Sequence, residues 1–391
     1  MSVIVIACVL LVSLPSLWGY YHYSKQALLD STLHQLQTRT VKTIDNYQRF
    51  IQLANPKLQA LSQLLNNELE KSEFNKSIPF DQRMMQFEDG AWRNISSTFN
   101  GQEQAGLFLP SDIKLTKKIK QFYITAMDVF DGFGASATSN QIFDNIWMLG
   151  HDRSELIFDL SYPDFVYLMS DETDYRSTPL MMLASPEINP DRTVKWTPAL
   201  FDTVSESWMV SVIYPLDIKY KWQATLGIDI SLDKVFSLLD TEDEHYQNEQ
   251  HFVVGKEGGF ILAGPWQHEL EENPDLFELD AREQELAILL TQELSADVEL
   301  LNPLFFQGVE HQVIASNIAP MGWRYFRLIP TDEIYQPLQD RLLKTSALIL
   351  LMSALLGLLI NTAVRKLMVL PLFAKSIRQL AGTCPLMAQK P

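Results

Sequence analysis

Few of the residues able to do covalent or metal chemistry stand in a pattern that would use them. The seven histidines, at positions 22, 34, 151, 245, 251, 268 and 311, include no HExxH or other close ligand pair. His151-Asp152 reads as a loop pair rather than a catalytic dyad. No GxSxG elbow, P-loop or GxGxxG occurs. Met84-Met85 and Met181-Met182 read as packing rather than as copper ligands. The two cysteines, Cys8 and Cys384, lie near opposite ends, so the region between them has no disulfide or thiolate metal site. Carboxylates are abundant, but among 48 Asp and Glu a nearby pair carries little information. The pattern excludes the common hydrolase and nucleotide-binding classes, and neither a cofactor nor a metal is expected.

The elements that hold these residues are bracketed by two charge-free apolar stretches. Residues 1–21 contain VIVIACVLLVSLPSLW, and residues 345–364 read TSALILLMSALLGLLINTAV. About 20 apolar residues suffice for a helix to cross a bilayer, and such a helix satisfies its own backbone there. Trp18, Tyr20, Tyr21 and Tyr23 resemble an interfacial belt, which favours an uncleaved anchor over a signal peptide. The tail beyond the second stretch carries Arg365, Lys366, Lys375, Arg378 and Lys390 and no acid, the cytoplasmic pattern of the positive-inside rule. Removing those five from 31 basic residues leaves 26 against 48 acids, a charge near −22 on the intervening region. That suits an exported domain and disfavours nucleic acid. Residues 22–344 are expected outside the cell membrane and both termini inside, and 27 residues after the second span leave no room for an output enzyme.

From Ser24 to about Lys71 the apolar positions Leu29, Leu33, Leu36, Ile44, Tyr47, Ile51, Leu58, Leu61 and Leu65 step by mostly three or four, predicting a stalk helix over 24–71 that Pro56 kinks or interrupts. The middle carries short β-branched and aromatic runs, SELIFDL, DFVYLMS, SWMVSVIYPL and WQATLGIDISL, bounded by turn formers as in an antiparallel sheet. DKVFSLL reads as a short helix, and the polar TEDEHYQNEQ as a connection between lobes. HFVVGKEGGFILAG then reads as strand, turn and strand, NPDLFELDAREQELAILLTQEL as an amphipathic helix, and FFQGVEHQVIASNIAPMGWRYFRLIP as further strands. TDEIYQPLQDRLLKT is predicted to be a helix capped by Thr331 that feeds the second span. The expectation is α+β: two antiparallel-sheet lobes, 72–240 and 250–331, on one helical stalk.

Three stretches, NPDRTVKWTPALFDTVSESWMVSVIYPL, LGIDISLDKVFSLL and IAPMGWRYFRLIPTDEIYQPL, give residues 24–345 a resemblance to double Cache (PAS-like) periplasmic sensors of bacterial transmembrane receptors. The order WTP, Asp, WMVS is most similar in style to sensors of diguanylate cyclases and histidine kinases. RKLMVLPLFAKSIRQLAG, in residues 365–391, resembles the start of a HAMP linker, with Pro371 shortly after the membrane exit. The resemblance implies a membrane-distal ligand lobe, a proximal lobe, and a truncated or split receptor.

Amino-acid sensors of that family carry an Arg-x-Trp-Tyr element and a later Asp. Here the matching stretch is YRSTPLMMLA: Tyr175 and Arg176 are present, but Leu180 and Met181 replace the aromatic pair. The later Asp matches Asp229, and Asp202 stands where a second acid would contact ligand. The acids would favour a cationic ligand and Arg176 a carboxylate. The resemblance thus nominates Tyr175, Arg176, Trp196, Asp202, Trp208 and Asp229. Their plainer roles are an Asx turn at Asp202, a turn cap at Asp229, core packing for both tryptophans and pairing of Arg176 within SDETDY. The functional expectation is a small-molecule sensor, dimeric with itself or with another receptor chain. A non-transmitting scaffold, a chemoreceptor fragment and a metal or proton sensor are the alternatives.

Overall fold

The computed structural model describes residues 2–70, 79–139, 143–202, 204–239, 246, 248–255, 261–263, 294, 297–319, 321–369, 373 and 376–377. The chain divides into two compact units, Met1–Gln35 with Pro330–Pro391, and Leu36–Ile329.

The second unit is α+β. Helix α1 (Ser2–Gln52) enters it, and α2 (Ala54–Glu70) follows after a break at Leu53. The break precedes Pro56, whose missing N–H and bulky ring disrupt the ladder one turn upstream. Within this unit Leu36, Thr40, Ile44, Tyr47 and Ile51 of α1, and Ala54, Leu58, Leu61 and Leu65 of α2, are buried. Steps of three and four keep them on one stripe. Each fully buried Leu or Ile there contributes roughly 1.5–3 kcal/mol.

That stripe packs on one face of a seven-stranded antiparallel sheet. Its strands are β3 (Gly106–Phe108), β4 (Asn145–Gly150), β5 (Glu155–Asp159), β6 (Lys195–Trp196), β7 (Leu200–Asp202), β8 (Ser207–Ile218) and β9 (Lys221–Ser231). Their order is β3-β5-β4-β9-β8-β6, with β7 also paired to β8. Helix α4 (Lys117–Thr138), capped by the Thr116 hydroxyl on the Ile119 N–H, covers the same face. It follows α3 (Phe80–Arg83) and a small ribbon of β1 (Met84–Gln86) and β2 (Trp92–Asn94). Ile146, Met148, Phe158, Val210, Val212, Leu226 and Ile228 join the helices in the main core. The opposite face carries a second cluster, Trp147, Leu149, Ile157 and Ile213, under α5 (Phe165–Leu168) and α6 (Pro179–Met182). Because both faces are covered, β4 and β5 are buried at every position.

The run DFVYLMS, expected as a strand, instead forms α5. Phe165 and Val166 are its buried residues, adjacent rather than alternating, and the extended Met169 that ends the helix is buried after them. DKVFSLL forms α7 (Leu232–Leu239).

A five-stranded antiparallel sheet follows, ordered β11-β10-β14-β13-β12. It comprises β10 (Gln250–Val254), β11 (Ile261–Ala263), β12 (Val298–Phe306), β13 (Val309–Ile318) and β14 (Trp323–Pro330). Gln307 and Gly308, both with positive φ, close the β12–β13 hairpin. Val253, Ile318, Trp323 and Tyr325 extend the main core into this sheet. The TEDEHYQNEQ connection, the GKEGG turn, the NPDLFELDAREQELAILLTQEL helix and the HAMP-like stretch beyond residue 369 fall wholly or mostly outside the described residues.

In the first unit α8 (Thr331–Val364) begins directly after β14. Its cap position is Pro330, which has no side-chain capping bond, so Thr331 lies inside the helix rather than capping it. Lys25 sits 4.2 Å above the Tyr335 ring. Among the described residues one helix is long and apolar enough to cross a membrane, Thr331–Leu367, with 11% of its apolar window buried. Residues 2–21 of the first apolar stretch lie within α1.

Candidate functional site

A pocket opens on the second face of the larger sheet, opposite the long helices. Its enclosed part is about 20 Å³, room for a water-sized or ammonium-sized group, and it widens into space open to solvent. Period-two geometry builds its floor. Asn145, Trp147 and Leu149 share one face of β4, and Glu155 and Ile157 share the matching face of β5. Asp229 of β9, Met209 of β8 and Asp202 of β7 extend it sideways, and Phe165, Tyr175 and Leu180 form the loop-side wall.

Strand register places the polar groups in a row. Asn145 pairs across to Asp159 on one side and to Asp229 on the other, and Asp229 pairs on to Ser211. Asp229 Oδ1 accepts from Trp147 Nε1 at 2.8 Å and from the Ser211 hydroxyl at 2.6 Å. Burial pushes the Asp229 carboxyl up to about 7, against the pull of those hydrogen bonds. Asn145 Nδ2 donates to Asp159 Oδ2 at 3.3 Å, while its Oδ1 is buried with no partner.

Glu155 is 4% exposed and its Oε2 has no hydrogen-bond partner. Burial, and then the charges of Asp202, Asp229 and Asp159, raise its pKa well above the carboxylate range. Tyr175 is raised by burial and then by the pocket acids Glu155, Asp202 and Asp229. Gly227 sits between Trp147 and the core. A Cβ there would lie 2.0 Å from the indole Cζ2, so only glycine lets this ring lie across β9 and reach Asp229.

Three of the nominated residues, Tyr175, Asp202 and Asp229, line this pocket. Asp202 also closes an Asx turn, accepting from the backbone N–H groups of Val204 and Ser205 and from the Ser205 hydroxyl. The other three lie elsewhere. Arg176 is exposed and grips Asp174 at 2.6 Å. Trp196 and Trp208 pack against the helix-side core, with the Trp208 ring 5.4 Å from Phe201. Asn145, Trp147 and Glu155 were not singled out from the sequence. Strand geometry sets Glu155, Ile157 and Asp159 on one face of β5, but NIWML and SELIFDL carry no polar–apolar alternation to mark that face in the sequence. Among the described residues no cluster of three or more His, Cys, Asp or Glu has metal-binding geometry.

No protein-family model and no curated protein matches the chain. Among solved structures it is similar to the sensory domain of the Campylobacter jejuni chemoreceptor Tlp3 with isoleucine bound. The identity is 12% and the TM-score 0.48, over 80% of this chain and 98% of that one. It is similar also to the ligand-binding domain of the Pseudomonas fluorescens chemoreceptor CtaA in complex with L-isoleucine, at 14% identity and TM-score 0.48, over 80% and 98%. The isoleucine belongs to those receptors.

Proposed function

We propose that this chain is a membrane-anchored extracytoplasmic sensor of the double Cache (PAS-like) type, which binds a small molecule in the pocket of its larger lobe. The observation that carries the reading is the pair of buried acceptors, Glu155 Oε2 and Asn145 Oδ1, that line a pocket and have no donor among the described residues. Such groups are expensive to leave unmet, and an incoming ligand that supplies the donor is the usual resolution. Further support comes from the order of parts. Residues of α1 and α2 share one core with residues of both sheets, and the last strand passes without a linker into an apolar helix.

In this reading residues 1–21 form a second span, the region near −22 lies outside, and the basic tail lies in the cytoplasm. The lobes are 72–240, distal, and 250–331, proximal. Asn145, Trp147, Glu155, Tyr175, Asp202 and Asp229 contact the ligand. A ligand that binds two receptor states unequally shifts their populations, and α1 and α8 carry the change to the membrane as a small shift or rotation. The receiver is a cytoplasmic output of diguanylate cyclase or histidine kinase type, reached through a homodimer or a dimer with another receptor chain.

The test is a thermal-shift screen of the full chain in detergent against a broad metabolite panel. At least one compound should raise the melting temperature, and Asp229→Ala should abolish that rise. A flat response across amines, amino acids, sugars and organic acids refutes ligand sensing.

A further inference from the structure

Resting on that reading, we propose that the pocket takes an organic ammonium ion without a carboxylate, its N–H groups bonded to Glu155, Asn145 and Asp229.

The first argument is donor counting. Glu155 Oε2 and Asn145 Oδ1 are both acceptors, in residues 4% and 7% exposed, and neither meets a donor. An ammonium group brings up to three N–H donors and a charge, and a water brings two donors and none. A ligand that presents only acceptors leaves both oxygens stranded.

The second argument is charge. Glu155, Asp202 and Asp229 line the pocket and no Lys or Arg does. Arg176, the residue that would have held a carboxylate, points away and is bound to Asp174. A zwitterionic ligand would set its own carboxylate among acids without a counter-charge. Two like charges 4 Å apart repel by about 4 kcal/mol at an effective dielectric of 20.

The third argument is shape. Beside the polar row the lining is Leu149, Ile157, Phe165 and Leu180, with the Trp147 and Tyr175 rings. This wall matches in character a short alkyl or aromatic body that lies in the open part of the pocket and sends its ammonium head inward, and the rings can also face a cation. The expected ligand is therefore a primary amine with an apolar tail.

Matched pairs that differ only in the carboxylate decide the point: 3-methylbutylamine against leucine, and 2-phenylethylamine against phenylalanine. They are titrated by calorimetry into the full chain in detergent. The amines should bind, and each amino acid should bind at least about tenfold more weakly, or 1.4 kcal/mol. Glu155→Gln keeps shape and removes charge, so it should lower amine affinity by about tenfold or more while the protein melts no earlier than wild type. Amino acids binding as tightly as their amines would overturn the proposal. So would Glu155→Gln binding amines as wild type does. If only a sugar or an organic acid binds, the ammonium assignment falls and the sensor reading stands. If nothing in either panel binds, both fall.

Discussion

The two sheets each bury a glutamate, and they treat it in opposite ways. In the smaller sheet Glu249 has a fully enclosed side chain, bonded to Arg327 and 3.3 Å from His251 Nε2. Burial alone would raise its pKa. The close approach of His251 and the hydrogen bond and charge of Arg327 outweigh burial and bring it below the usual value. In the larger sheet Glu155 is buried beside Asp202 and Asp229 with no cation in the lining, and its pKa moves up. The smaller sheet neutralises its buried acid with a guanidinium, although Glu249 Oε2, like Glu155 Oε2, has no partner among the described residues. The other leaves charge and hydrogen-bonding capacity open on a pocket wall, the arrangement of a site that awaits something from outside.

The largest expected effect is at the closed pair. Arg327→Met strands Glu249 and should destabilise the chain by about 3–5 kcal/mol in urea unfolding. The double change Glu249→Leu with Arg327→Met should recover most of that loss, since a buried pair is often replaceable by apolar packing. A single variant that loses less than about 1 kcal/mol would erase the contrast between the lobes.

The open site should respond with the opposite sign. An acid with a raised folded-state pKa favours the fold while protonated and weakens it as pH climbs past its unfolded value toward its folded one. For Asp229 that window runs from its ordinary value of 3.8 to about 7. A rise of that size bounds the penalty at about 4 kcal/mol. Asp229→Asn and Glu155→Gln should therefore melt higher than wild type at pH 8, by a margin that shrinks as pH falls and closes below the unfolded carboxylate pKa, at about pH 3. A lower melting temperature at pH 8 would count against an unpaired acid site. Glu249, shifted down, stabilises above its unfolded pKa and loses that contribution only as pH falls through its folded value, so the two lobes should govern opposite arms of the pH–stability profile.

The smallest effect is at the donor. Trp147→Phe removes the indole N–H from Asp229 and should raise that carboxyl's titration midpoint by about one pH unit, worth about 1.4 kcal/mol, in an NMR titration. An unchanged midpoint would mean that Trp147 does not tune Asp229.

Much of the architecture was legible in local pattern. Three- and four-residue steps marked the buried stripe of α1 and α2, and turn formers around β-branched runs marked β8 and β9. The DFVYLMS run misled because aromatic and β-branched content outweighed its spacing, in which the buried residues 165 and 166 are adjacent rather than alternating. The site was legible in part. Asp229, Asp202 and Tyr175 line the pocket, but whether a side chain faces it depends on parity within a strand. In β4 and β5 burial on both faces erases the polar–apolar alternation that would reveal that parity. Glu155 therefore looked like one acid among 48. Arg176 and the two tryptophans have the right residue types for recognition. Their direction is set by partners distant from any motif, Asp174 for the arginine and the helix-side core for the indoles.

The absent methyl at Gly227 has a consequence for anyone who mutates this molecule blindly. In a saturation library position 227 should score as intolerant as a contact residue, because every replacement pushes the indole out of its berth. Yet it offers the pocket no side chain of its own and acts only through the Trp147 ring. The carboxylates it serves could be exchanged among acid and amide forms with the chain still folding. A map drawn from mutational sensitivity alone would thus peak two positions along β9 from Asp229, on a residue that holds the site's shape and recognises nothing.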